Sequence, residues 1–325
     1  MLKNLLSNTY VNIAALLAIP AAFLADVFGT PLAYGVMFIL VLGFLGIGFF
    51  DEKKKQSLYT SKTIHLPIVF NISNPANSKS ALNSLFKILE EDFPNHKENL
   101  EKYLNITEND LIFEYNADIF DEERFIDFLK ITKHDIKQLQ QRASNNTHLH
   151  IVYIGPIANA IAVGTILGTD GVTLYQYNKS TDSYTISLEI KDREYKQHSK
   201  EFKILKKELL GDIKDSDTIT IAIDLSSHKV ALSKLKEPII HLQSRLGATI
   251  TDAKDFIEAN REIYGVINEL QQNPNHIKLV YSMPTSIALL LGMAVQNYWD
   301  IELTQYFEGE YKTVIKQLNK IKYYF

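Results

Sequence analysis

The sequence predicts an α/β protein: two tandem Rossmann-like halves, each a mostly parallel sheet with helices on its faces, behind an N-terminal hairpin of two apolar helices. Three observations lead there. Residues 5–50 are almost wholly apolar, whereas 51–325 have the mixed composition of a soluble domain. From residue 63 onward, short β-rich runs alternate with longer helical ones, the pattern of a βαβ series. One strand-turn-helix phrase also occurs twice. HLHIVYIGPIANAIAVG (148–164) and HIKLVYSMPTSIALLLG (276–292) match without a gap at His, Val-Tyr, Pro, Ala and Gly.

The hairpin comes first. The runs 5–28 and 31–50 each reach the ~20 apolar residues that cross a bilayer core, and GTP at 29–31 between them is a turn signal. Lys53, Lys54 and Lys55 follow the second run, Lys3 precedes the first, and the turn has no basic residue. The positive-inside rule therefore places both ends in the cytoplasm. A cleaved signal peptide fits poorly, because the start is weakly basic, Phe23 and Ala25 do not form a small-x-small site, and a second apolar run follows at once. Asp26 lies beside the turn, within reach of the headgroups. Gly35, Gly43, Gly46 and Gly48 crowd the second run, where small residues permit close helix approach. The linker DEKKKQSLYTS (51–61) is short, so the soluble domain is expected close to the membrane surface.

The first half is expected over 62–210. Strands read at 65–72, 110–115, 148–155, 172–177 and 183–190, and helices at 81–91, 122–142 and 156–168. Leu82, Leu85, Ile88 and Leu89 carry the helical period in the first of these helices. The series restarts over 211–325: a strand at 217–227, a short helix at 228–236, a strand at 238–243, a long helix at 252–272, a strand at 276–283, a helix at 284–296 and a closing strand at 300–307. The tail from 311 has no clear assignment. LYQY (174–177) aligns with LTQY (303–306) after one inserted residue, so the repeat extends past the quoted phrase.

Net charge is −4 and there are no cysteines. A broad surface for long nucleic acid, which needs a basic excess, is not indicated. Disulfides, a thiolate nucleophile and a cysteine zinc site are excluded. Neither GxGxxG nor GxxxxGK[ST] occurs, which argues against a dinucleotide cofactor and an NTP hydrolase. The Asp215–Asp217 pair precedes its strand, at the wrong sheet edge for a ligand-binding metal. His148 and His150 alternate along a strand start and read as surface residues. No metal set and no nucleophile-base constellation emerges. In open parallel sheets, ligands bind outside the carboxyl ends of the strands, where helix N-termini present unpaired N–H groups. The residues expected at that edge are Asn71, Ser73, Asn74, Gly155, Pro156 and Asn159 in the first half. In the second they are Asp224, Ser226, Ser227, His228, Ser282, Met283, Pro284, Thr285 and Ser286. Turns of two related halves meeting across a pseudo-twofold would form one composite pocket.

The second-half stretch LVYSMPTSIALLLG with the strand DIELTQYF resembles the C-terminal signature of the SAVED family. So does the doubled Rossmann-like reading, since a SAVED domain looks like two fused CARF units. The resemblance covers about 62–325 and is most specific at 284–292. It implies a sensor of bacterial antiphage (CBASS) defence whose activating ligand is a cyclic oligonucleotide, most often a trinucleotide, made by a partner nucleotidyltransferase. With the apolar hairpin, it is similar to the transmembrane-SAVED effectors. Those imply a two-pass inner-membrane protein that oligomerises head-to-tail on ligand and disrupts the lipid bilayer. Ser282, Pro284, Thr285 and Ser286 would line one side of the pocket, with residues near Gly155–Pro156 and Ser226–His228 lining the rest. Lys229 and Arg245 are the candidates for phosphate charge. One departure stands out: Gly155–Pro156 offers no hydroxyl, so the halves cannot treat the ligand alike. No catalytic residue is implied, and slow cleavage of the ligand stays open. The alternative is a membrane-anchored Rossmann-type enzyme acting on a nucleotide or nucleotide sugar.

Overall fold

A computed structural model describes residues 31–321 apart from 62, 73–76, 144–145, 169–170, 200, 215, 248, 271–275 and 297. The chain divides into two compact units, Met1–Ile64 and His65–Phe325.

In the first unit, helix α1 runs Pro31–Ser61. It takes in the second expected span and continues through 51–61, so the linker itself is helix. Phe38, Ile39 and Phe50 are 65%, 69% and 71% exposed, and Leu40, Leu42, Ile47 and Phe49 are also exposed. A Cβ added at Gly35, Gly43 or Gly46 would meet no described atom within 4 Å. Among the described residues no helix is long and apolar enough to cross a membrane. The first expected span, 5–28, lies outside the described residues.

The second unit holds two sheets. The first contains β1 (Ile64–Asn71), β2 (Ile112–Glu114), β3 (Thr147–Ile154), β4 (Val172–Asn178) and β5 (Ser183–Ile190), in the order β2-β1-β3-β4-β5. Its helices are α2 (Ser78–Asp92), α3 (His96–Leu104), α4 (Glu122–Arg142) and α5 (Ile157–Ile166). The second sheet contains β6 (Leu205–Leu210), β7 (Thr218–Asp224), β8 (Ile239–Ser244), β9 (His276–Ser282), β10 (Ile301–Phe307) and β11 (Glu310–Ile315), in the order β11-β10-β9-β7-β8-β6. Helices α6 (Ala253–Leu270) and α7 (Thr285–Val295) accompany it.

The repeat is therefore topological. β1, β2, β3, β4 and β5 correspond to β7, β8, β9, β10 and β11. In each half the fifth strand turns back antiparallel to the fourth, so the unassigned tail begins with the strand that completes the second half. Equivalent backbone bonds mark the register: Ile72 N–H donates to Ile154 O at 2.8 Å, and Leu225 N–H to Ser282 O at 2.7 Å. Two sequence expectations need correction. The boundary at 210/211 falls on the wrong side of β6, which pairs antiparallel with β8 in the second sheet. The helix at 228–236 reduces to one 3-10 turn, Leu232–Lys234. That loop stands where the first half has α2 and α3, so the second sheet lacks their helical cover.

The amphipathic helices lay one face on the sheets. On α2 the buried side chains include Ala81, Leu82, Leu85, Phe86 and Leu89. Asp121 starts α4, its carboxylate accepting from Arg124 N–H at 3.2 Å. Helices α5 and α7 differ: Ala158–Ile166 and Ser286–Val295 are buried throughout, which is why they are apolar all round. They pack on each other, and each also touches the other half's fourth strand. Their backbones nearly touch at Gly164 and Gly292. A Cβ on Gly164 would lie 2.2 Å from Leu289 O, and one on Gly292 would lie 2.0 Å from Ile161 O. These are the terminal glycines of the repeated phrase, so the match preserves the helix crossing that joins the halves. Glu262 on α6, fully buried, ties down the start of β6 by accepting the N–H groups of Lys203, Ile204 and Leu205 at 2.6–2.9 Å.

Candidate ligand-binding site

The order 2-1-3-4-5 reverses direction between the first and third strands, and ligands of open α/β sheets bind at that switch point, outside the carboxyl ends. A cavity of about 510 Å³ opens beside this edge of the first sheet. One wall is the first turns of α2, with Asn77, Ser80, Ala81 and Ser84. The opposite wall is the β4–β5 hairpin, with Tyr175, Gln176, Tyr177, Asp182 and Tyr184. Tyr153 and Ile154 end β3 at its floor, and Thr285 reaches in from the second half. The site is thus composite across the pseudo-twofold.

Its lining is aromatic and neutral-polar. Tyr177 and Tyr184 are cross-strand partners with ring centroids 5.5 Å apart. The Tyr177 hydroxyl donates to the Asp182 carboxylate, and this bond pushes its pKa up. Burial does the same for Tyr184, and pushes Tyr175 up to about 12 with help from Glu189 and Asp92. Tyr153 is raised by burial and then by Tyr281. These phenols stay protonated at neutral pH and offer O–H donors and ring faces. Among the described residues no Lys, Arg or His lines the cavity.

The residues expected from the sequence separate into groups. Thr285, half-exposed at the first turn of α7, lines the cavity. Gly155 and Pro156 lie half-exposed beside it, in the turn after β3. Asn71, Asn159, Met283, Pro284 and Ser286 are at the right edge but buried. Asn71 holds Ser78, its Nδ2 donating to Oγ at 2.8 Å. Asn159 is fully buried with neither amide atom hydrogen-bonded. Ser73 and Asn74 lie outside the described residues. Ser226, Ser227, His228, Lys229 and Ser282 gather at the second switch point. There the Ser226 and Ser282 hydroxyls are 2.5 Å apart, and Ser227 N–H donates to Thr249 Oγ1 at 3.0 Å. His228 and Lys229 are exposed. Arg245 is exposed at the end of β8, with Nε donating to Leu205 O at 2.8 Å. Asp224, the counterpart of Asn71, is buried and accepts from Val230 N–H at 2.7 Å, and His241 Nε2 lies 2.8 Å from its other oxygen.

The differently spelled turns have a local cause. Tyr153 folds its hydroxyl back to donate to Pro156 O at 2.7 Å. A Cβ at Gly155 (φ +154°) would lie 2.8 Å from that hydroxyl, so glycine is required there. In the second half Met283 occupies the equivalent place, and the buried Tyr281 hydroxyl makes no such bond.

His150 is buried and His148 half-buried, so the pair is not a solvated strand start. They form a cluster with His65 and His96 beneath α2 and α3. His65 Nδ1 lies 2.7 Å from His150 Nε2, His150 Nδ1 lies 2.9 Å from the Tyr175 hydroxyl, and His96 Nε2 lies 2.6 Å from His65 O. Burial, then the neighbouring imidazoles, lower His150 to about 3 and His65 to about 4. Among the described residues no group of His, Asp or Glu is arranged to hold a metal ion. The tyrosines of the cavity went unread in the sequence. The signal was there in YQYNKSTDSY (175–184), where Tyr175 and Tyr177 share a strand face and Tyr184 returns opposite.

Comparison with known proteins bears on this architecture. Residues 191–316 match the SAVED family, the SMODS-associated and fused to various effectors sensor domain. No curated protein matches the chain. Among solved structures, the fold is similar to the Cap4 SAVED/CARF-domain containing receptor of Acinetobacter baumannii. With the cyclic trinucleotide 3′3′3′-cAAA the TM-score is 0.53, and with 2′3′3′-cAAA it is 0.51. In both comparisons identity is 14%, and the alignment covers 86% of this chain and 56% of the receptor. At that identity the likeness is one of fold.

Proposed function

We propose that this chain, whose residues 191–316 match the SAVED sensor-domain family, is a membrane-attached receptor for a cyclic oligonucleotide, with a cyclic trinucleotide as first candidate. The observation that carries the reading is the composite cavity at the carboxyl edge, walled by tyrosines of the first half and closed by Thr285 at the N-terminus of α7. Aromatic faces and neutral donors suit nucleobases, and the first-turn amides of α7 suit a phosphate. The receptor acts in antiphage signalling of the CBASS type, downstream of a nucleotidyltransferase that makes the ligand, and binds the ligand without turning it over. Ligand-bound copies assemble head-to-tail, a heterologous contact that builds open arcs or filaments.

Residues 1–50 form the two-pass attachment to the bacterial inner membrane, with the sensor in the cytoplasm. Supporting this are the exposed apolar side chains of α1 and the exposed Lys53 and Lys54 directly after them. Clustered hairpins then breach the bilayer, which a single hairpin cannot readily do.

The test is direct. Liposomes carrying the full chain are titrated with 3′3′3′-cAAA and a panel of cyclic di-, tri- and tetranucleotides. One ligand should bind, remain intact by chromatography, and cause dye release. Tyr184→Ala should weaken that binding about tenfold or more, the usual worth of a base-stacking aromatic. Absence of binding across the panel overturns the receptor, and binding without leakage overturns the membrane step alone.

A further inference from the structure

The cavity has a polar back wall. Tyr175 lines it, is 6% exposed, and directs its hydroxyl to His150 rather than to bulk solvent. Behind it the hydrogen bonds continue from His150 to His65, whose ring is half-buried and stacks on Phe93 at 4.2 Å between centroids. One chain of hydrogen bonds thus joins the cavity wall to the strand starts beneath α2 and α3.

Two proton arrangements are open to this chain. With neutral imidazoles, Tyr175 can donate to His150 Nδ1, and His150 Nε2–H to His65 Nδ1. When His150 carries a second proton, both its nitrogens must donate. Tyr175 then accepts from Nδ1, and its own O–H is released for an acceptor in the cavity. We propose that anionic ligand in this cavity draws a proton onto the histidine cluster, with Tyr175 as the link. The proposal rests on the cyclic-oligonucleotide reading. That ligand is polyanionic, and among the described residues the cavity is lined by no cation and by the Asp182 carboxylate. The histidine cluster is a latent positive charge directly behind its wall.

The surroundings allow one proton and resist two. Asp92 and Glu90 of α2 act on His65 and His96, and Glu189 of β5 acts on His148, each favouring the charged form. Lys191 opposes it at His148, and the four imidazoles of β1, β3 and α3 oppose one another. In the free protein burial keeps the cluster neutral, His150 at about 3 and His65 at about 4. Ligand charge raises these values, so uptake is fractional near pH 6. No covalent bond changes, and the proton comes from solvent.

The experiment is calorimetric titration of the full chain with 3′3′3′-cAAA at pH 5.5, 6.5 and 7.5, in buffers of different ionisation enthalpy. The wild type should take up a fraction of a proton on binding, and its affinity should rise about three- to fivefold between pH 7.5 and 5.5. Tyr175→Phe, which keeps the ring and deletes both the link and one O–H donor to the cavity, should bind more weakly than the wild type with flattened pH dependence and no uptake. His150→Asn should likewise show flattened pH dependence and no uptake. Should His150→Asn fail to fold by thermal melt, Tyr175→Phe carries the test. Binding with no proton exchange, or with uptake unchanged in Tyr175→Phe, overturns the coupling and leaves the receptor standing. No binding at any pH overturns both.

Discussion

At the scale of single residues, the two halves differ most where one side chain must satisfy another. Asn159 sits on α5 at the place held by Ile287 on α7, fully buried and with both amide atoms unpaired. A buried polar group without partners costs on the order of 1–3 kcal/mol. Asn159→Leu, close in shape and apolar, should therefore raise stability by about 1 kcal/mol, read as a higher midpoint in denaturant. A lower midpoint would mean that the amide is satisfied by water and belongs to the site. Gly155 shows the reverse constraint: the Tyr153 hydroxyl fills the space a Cβ would need.

At the scale of elements, the α5–α7 crossing holds the halves together. Gly164 and Gly292 face backbone rather than flexible side chains, so an added methyl can be relieved only by moving a helix. Gly292→Ala should cost about 3 kcal/mol or more, beyond the 1–3 typical of an overpacked core, and should loosen the site because Thr285 rides on the same helix. Thermal melts and ligand titration of the variant check both effects; near-wild-type stability would show that the crossing yields. The same scale explains the histidines. His148 and His150 correspond to His276 and Lys278, yet the latter face carboxylates: Lys278 pairs with Glu302 at 3.1 Å, and His276 Nδ1 lies 3.1 Å from Asp300 Oδ1. In the first half α2 and α3 roof the strand starts and force the imidazoles to be neutral. In the second half a short loop leaves a cleft of about 720 Å³ lined by His276, Lys278 and Glu302, and charge survives.

At the scale of the whole molecule, that roof makes stability depend on pH. Folded pKa values of about 3 and 4 for His150 and His65 lie below the ordinary 6.5, so the unfolded chain binds more protons between these limits. Their contribution is complete above about pH 6.5 and is lost as pH falls, down to about 4 for His65 and about 3 for His150. For His150 the loss is on the order of 2 kcal/mol at pH 5, less for the half-buried His65. Thermal midpoints measured from pH 7.5 to 4.5 should fall steeply below 6.5, and His150→Asn should flatten that fall. An unchanged profile in the variant would place the acid sensitivity elsewhere.

The linear order of residues determined the βαβ alternation, the duplication and the carboxyl edge beside which the candidate cavity opens, because hydrophobic period, turn residues and the echoed phrase are local signals. It also marked Thr285, since a hydroxyl after a proline at a helix start is legible without coordinates. Tertiary structure decided the rest. The cavity is built from tyrosines on a hairpin and polar residues on a helix roughly 100 positions earlier in the chain, joined by no local pattern. Only packing could turn an alternating pair of histidines, which reads as a wet strand start, into a largely buried cluster whose pKa values are lowered. Whether a polar residue faces water or a roof depends on what a distant segment covers, and one strand does not carry that information.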